Sequence, residues 1–149
     1  FAPFGRDDAF RKDVEAAQRI MDARWGAADR SVLLLNSPQT LISAPFATVT
    51  NLRETLNEIG SIIDADDDVV MVYLASRSGP DHRLEAAQPP LSLVELSPAG
   101  LKQLLADSGI KWRIIVVSAC YAGGYIGPGL DQDGLVALHR LTLAAASSR

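Results

Sequence analysis

The chain has 149 residues, a formal charge of −4, one cysteine and two histidines. That length is enough for one domain to bury its own core, and a single cysteine cannot close an internal disulfide, so the redox compartment stays open. Acidic and basic residues are spread along the chain, with a pI near 5.1; this leaves no basic stripe for nucleic acid or an anionic membrane, and no apolar run nears the roughly 18 residues of a membrane span.

From Asp7 to Trp25 apolar residues recur at Phe10, Val14, Ala17, Met21 and Trp25, the spacing of a helix with one apolar stripe. Asp7 or Asp8 is placed to cap its start and Gly26 to stop it. Ser31 to Asn36 holds Val-Leu-Leu-Leu, a continuous apolar run that reads as a strand buried on both faces. Pro38 and Pro45 mark a loop, and Leu52, Leu56, Ile59 and Ile63 make a second helical stripe, with Asn51 and Glu54 spaced as a capping box. Asp64 to Asp68 is an acidic turn. It lacks the spacing and glycine of a calcium loop.

Val69 to Ala75 is rich in β-branched residues and reads as a buried strand. A long segment with Gly79, Pro80, Pro89 and Pro90 follows to about Leu96, a length that inside a compact domain marks function or mobility. Ser97-Pro98 starts a third helix with Leu101, Leu104 and Leu105 on its buried face and Gly109 at its end. Trp112 to Ser118 is the next strand. In the tail, Leu141 to Ala145 is assigned as a strand. Helices alternate with strands throughout, which implies a mostly parallel sheet covered by helices on both faces. Gly123-Gly124 and Gly127-Pro128-Gly129 read as turns, since neither belongs to a phosphate-loop motif. No cofactor or metal is implied.

The strand Ile114-Ile115-Val116-Val117-Ser118-Ala119 runs straight into Cys120, and Tyr121-Ala122-Gly123-Gly124 follows. A parallel strand entering a glycine-containing turn delivers a side chain to the carboxyl edge of the sheet, where open α/β folds keep their ligands. A thiol there is a candidate nucleophile; the plainer reading is a small buried residue at a strand end. The preceding strand ends at Ser76-Arg77-Ser78-Gly79, on the same edge.

Tyr73-Leu74-Ala75-Ser76, Pro80-Asp81-His82-Arg83-Leu84 and Val116-Val117-Ser118-Ala119-Cys120-Tyr121-Ala122-Gly123-Gly124-Tyr125-Ile126 together resemble the legumain-like (hemoglobinase) cysteine peptidases, in particular their bacterial members. The resemblance runs from about Phe1, where Phe1-Ala2-Pro3 looks like the tail of the family's first strand, to Pro128. It implies a three-layer α/β sandwich of the caspase-hemoglobinase type, in a single domain over 1–149 that is cut short at both ends. The implied chemistry is a Cys-His dyad with Cys120 as the cysteine and the histidine in a Ser-His-Gly sequence after the preceding strand. Here that sequence reads Ser76-Arg77-Ser78. Arginine stays protonated, so Arg77 can favour the Cys120 thiolate by its charge but cannot accept and return a proton.

His82, five residues on, is a substitute base in a loop able to fold back over the edge. Similar bacterial sequences carry a histidine there beside the catalytic one, which points to another role; the plainer reading of both His82 and His139 is a surface histidine. The amides of Ser78, Gly79 and Cys120 are the oxyanion-hole candidates. Beyond Gly127 the resemblance fades except for Leu141 to Ala146, which looks like the next strand, so specificity residues do not transfer. The functional expectation is hydrolysis of peptide bonds through Cys120, or a pseudo-peptidase that binds peptides or proteins in the same groove. A sheet edge left bare by a missing C-terminal part is a surface for pairing with a second copy. The start on Phe1 rather than methionine leaves room for a leader or anchor upstream, and with it a periplasmic or membrane-anchored location.

Overall fold

The computed structural model describes residues 1–125 and the strand Leu135–His139. Its helices begin where a side-chain oxygen meets backbone N–H groups that the first turn leaves unpaired. Asp7 accepts from the Ala9 N–H at 2.9 Å to open α1 (Asp8–Trp25), and Gly26 closes it in the left-handed region, at φ 66°, with its N–H returned to the Met21 carbonyl. α2 (Val49–Ile62) does not start from an Asn51–Glu54 box: the Thr48 hydroxyl accepts from the Asn51 N–H at 3.0 Å, and the Asn51 side chain donates to the Phe46 carbonyl at 2.8 Å. Threonine three residues earlier takes the cap, which places Asn51 inside the first turn. α3 (Pro98–Asp107) is capped by Ser97, which accepts from the Gly100 N–H at 3.0 Å, with proline at the first helical position.

β1 (Val69–Ala75), β2 (Trp112–Ser118) and β3 (Leu135–His139) form a parallel sheet in the order β1-β2-β3. β3 lies N-terminal to the strand expected at 141–145, which falls outside the described residues. On the other side of β1, the Phe1 amino group donates to the Tyr73 carbonyl at 2.9 Å and the Ala75 N–H donates to the Phe1 carbonyl at 3.0 Å. Ala2 then makes an isolated parallel bridge to Leu35. The run from Ser31 to Asn36 is therefore a single bridge rather than a strand buried on both faces. Val32 is 52% exposed. The Asn36 N–H still donates to the Ala2 carbonyl at 2.9 Å, and its side chain adds further bonds, donating to the Pro3 and Ala47 carbonyls and accepting from the Ala47 N–H.

Alternation along the strands sorts side chains to two faces. Val72 and Leu74 of β1, with Ile115 and Val117 of β2, join Leu52 and Leu56 of α2 and Leu101, Leu104 and Leu105 of α3 in the main core. Tyr73 and Ala75 point the opposite way and pack with Ala2, Leu35, Phe10 and Val14 under α1. The result is three layers. This second cluster reaches only the first turns of α1, so Val14 is the helix's buried residue and Trp25, at the far end of the expected stripe, is 74% exposed.

The long segment after β1 is tied down throughout. Leu84 is fully buried and bridges both Ser78 and Leu96, Ala87 bridges Phe4, and the Tyr125 hydroxyl donates to the Leu96 carbonyl at 2.6 Å. Its length thus serves packing as well as the site. The acidic turn closes on itself: Asp68 and Asp64 side chains accept from the Asp64 and Asp66 N–H groups, and Asp66 pairs with Lys111 at 2.7 Å.

Candidate active site

β1 and β2 end level, Ala75 opposite Ser118, and the Ser76 N–H donates to the Ser118 carbonyl at 3.2 Å. The loops that follow therefore leave the same carboxyl edge side by side. Cys120 lies two residues past β2 with its side chain exposed. This overturns the plainer reading of a buried thiol. Tyr121 then takes a left-handed φ of 53°, and Ala122–Tyr125 form one short 3₁₀ turn whose buried ends, Ala122 and Tyr125, anchor the loop to the core.

The strand beneath the cysteine is held from α1. The Ser118 hydroxyl donates to Asp13 Oδ2 at 3.0 Å, and the Tyr73 hydroxyl donates to the same oxygen at 3.1 Å. One carboxylate thus ties the helix to the carboxyl-terminal halves of both strands. Sequence reasoning missed Asp13, because nothing in a half-polar helix marks which acidic residue meets the sheet.

Past β1, the Ser76 hydroxyl donates to the Glu85 carbonyl at 2.7 Å and the Glu85 N–H donates to the Arg77 carbonyl at 2.9 Å. These bonds fold the segment back on itself. The Arg77 side chain is 61% exposed, with Nε 3.8 Å from Glu85 Oε2 and its guanidinium carbon 5.3 Å from the centre of the Phe4 ring. Its described partners are thus an acidic side chain and an aromatic face. Ser78 is buried, and the Gly79 carbonyl accepts from the His82 N–H at 2.9 Å, which makes Ser78 to His82 a tight turn.

That turn aims His82 at the other loop. His82 Nδ1 lies 2.7 Å from the carbonyl oxygen of Tyr121, the residue after Cys120. A carbonyl only accepts, so Nδ1 carries the hydrogen and, in the neutral ring, Nε2 keeps the lone pair. His82 is half-buried and holds a left-handed φ of 62°, a conformation uncommon for a residue with a side chain. Its side chain packs against Gly124: a Cβ there would fall 2.6 Å from His82 Cβ, 2.7 Å from Cδ2 and closer still to Cγ. His139 is the last residue of β3, with its backbone in register with Val117.

No curated protein matches the chain, and no solved structure does. A family model described as the Peptidase C13 family matches residues 39–148, which take in Arg77, Ser78, Gly79, His82 and Cys120. The helix layers and parallel sheet agree with the caspase-hemoglobinase-like sandwich that the resemblance implies. A match over more than half of the chain decides the question of kinship: this is a member of the Peptidase C13 family, the legumain family.

Proposed function

We propose that this domain hydrolyses peptide bonds with Cys120 as the nucleophile. The observation that carries the reading is an exposed thiol at the carboxyl end of β2, beside the Ser78–Gly79 turn that leaves β1, in a chain of a cysteine peptidase family. The thiolate adds to the carbonyl carbon of the substrate, forming a C–S bond and an oxyanion that the amides of Ser78, Gly79 and Cys120 are candidates to hold. Collapse breaks the C–N bond and releases the amine with a proton, and water then cleaves the thioester. Neither proton transfer can run through Arg77, which is never a base at physiological pH.

Arg77 also favours a second reading, a pseudo-peptidase that keeps the groove to bind peptides or proteins. Its guanidinium stands where the family's dyad histidine is implied and is engaged by Glu85 and Phe4. The two readings separate in one experiment. The natural chain, Cys120→Ala and Arg77→His are incubated with a broad peptide library and a thiol-directed covalent probe. Cleavage by the natural chain that vanishes in Cys120→Ala establishes the peptidase; an intact library that becomes cleaved only with Arg77→His establishes the pseudo-peptidase.

A further inference from the structure

We propose that His82 and Asp13 are positioning residues for the nucleophile, two side chains from separate segments that clamp the backbone on either side of Cys120. The role rests on the peptidase reading for its use in hydrolysis, but not for its hold on the loop. The bonds between β1 and β2 stop short of the cysteine, the Ser76 N–H donating to the Ser118 carbonyl at 3.2 Å. Beyond that point, among the described residues, hydrogen bonds reach the backbone of Ala119 to Tyr121 only at the Tyr121 carbonyl. It accepts from His82 Nδ1–H at 2.7 Å and from the Gly124 N–H at 3.4 Å. Just before the cysteine, the Ser118 hydroxyl donates to Asp13 Oδ2 at 3.0 Å. The nucleophile thus sits between two side-chain bonds, one at residue 118 and one at residue 121.

Each clamp stands on fixed ground. His82 belongs to a turn closed by its own N–H on the Gly79 carbonyl at 2.9 Å, and the fully buried Leu84 bridges Ser78 across that turn. Its side chain also packs against Gly124, so the nucleophile loop gives it a seat as well as an acceptor. Asp13 precedes Val14, the buried residue of α1, and the Tyr73 hydroxyl donates to the same Oδ2 at 3.1 Å. The carboxylate is therefore oriented from both strands at once. Supporting side chains of this kind keep a functional group within about 0.5 Å of its working position, whereas a misplacement of about 1 Å costs about 10²-fold in rate. The two residues act on where the sulfur stands, through Ser118 and Tyr121, and not on its proton.

Cys120 is the only cysteine of the chain, so a nitroxide joined to it through a disulfide reads the motion of the loop directly. His82→Gly removes the donor, and His82→Asn keeps an N–H donor; both residues accept the left-handed φ of position 82. Asp13→Ala and Ser118→Ala delete the second clamp from opposite ends, and Asp13→Asn keeps an oxygen acceptor. Thr48→Ala, at the α2 cap, controls for a loss of stability away from the loop. The paramagnetic resonance lines are expected to sharpen in His82→Gly, Asp13→Ala and Ser118→Ala, and to keep the natural shape in His82→Asn, Asp13→Asn and Thr48→Ala. In unlabelled protein, kcat on a peptide taken from the library should fall about tenfold to 10²-fold in the first three at unchanged KM, and return in the two conservative variants. Line shapes that agree across all the variants overturn the clamp, as does equal sharpening in Thr48→Ala, or a natural kcat in a variant whose label has come loose. A library left uncut by the natural chain refutes the peptidase reading, and the line shapes then still decide whether the two side chains hold Cys120.

Discussion

Gly124→Ala probes the contact between the two loops without touching any polar group. The backbone of Gly124 lies outside the left-handed region, so alanine suits it, and the obstacle is the His82 ring. The new methyl would lie 2.6 Å from His82 Cβ, at the root of the side chain, where no rotamer change relieves it. Either the ring leaves Tyr121 or the 3₁₀ turn shifts. Overpacking of this kind costs about 1–3 kcal/mol, and a lost hydrogen bond to Tyr121 lies within about 0.5–1.5 kcal/mol. In a His82→Gly background, which removes Cβ as well as the ring at a φ that glycine accepts, the obstacle is gone, and Gly124→Ala becomes neutral or stabilising by up to about 1 kcal/mol, because alanine restricts the unfolded chain. The double-mutant cycle therefore yields a coupling of about 1–3 kcal/mol. Urea unfolding of the four proteins measures it, given unchanged m values. Costs of Gly124→Ala that agree within about 0.5 kcal/mol in the two backgrounds would refute the contact.

Thr48→Ala removes the α2 cap and should cost about 1 kcal/mol, seen as a lower urea midpoint, whereas Glu54→Ala should leave the midpoint unchanged within about 0.5 kcal/mol. Ser118→Ala should cost about 0.5–1.5 kcal/mol through the lost bond to Asp13, and less in an Asp13→Ala background, where the acceptor is already gone. Tyr125→Phe should also cost about 0.5–1.5 kcal/mol, the low end for a buried group, because the Leu96 carbonyl keeps a second donor in the Leu84 N–H. Burial pushes the Tyr125 phenol above its ordinary value. The unfolded chain therefore loses this proton first, and stability falls as pH rises above about 10; Tyr125→Phe should lessen that alkaline loss in urea midpoints read from pH 8 to 11.

The strands and helices that the sequence marks most plainly are those whose signal is both local and unopposed. β1 and β2 match their apolar runs at both ends, and Ser97-Pro98 names the start of α3. The run at Ser31 to Asn36 has the same composition as a strand, but its fate depends on neighbours distant in the chain. Ala2 offers it one bridge, and the Asn36 side chain turns to Pro3 and Ala47 rather than to a further strand. Trp25 fits its helical stripe equally well, yet the cluster beneath α1 stops short of it. Periodicity states which face a helix would bury, not how far the surface under it extends.

The same division holds at the site. Cys120 is legible because strand, thiol and glycine turn are consecutive in the chain. Its loop is held from two other segments: α1, whose Asp13 meets Ser118, and the Ser78–His82 turn after β1, whose His82 meets Tyr121. Family resemblance directs the eye to position 77, where the expected histidine is missing. The geometry draws it five residues on, because the bonds Ser76–Glu85 and Glu85–Arg77 fold that segment into a hairpin, and the turn at its tip presents His82 to Tyr121. A left-handed φ at a histidine, a carbonyl that can only accept, and a glycine that leaves room for the ring are invisible as a motif. Together they join the turn after β1 to the loop that carries Cys120.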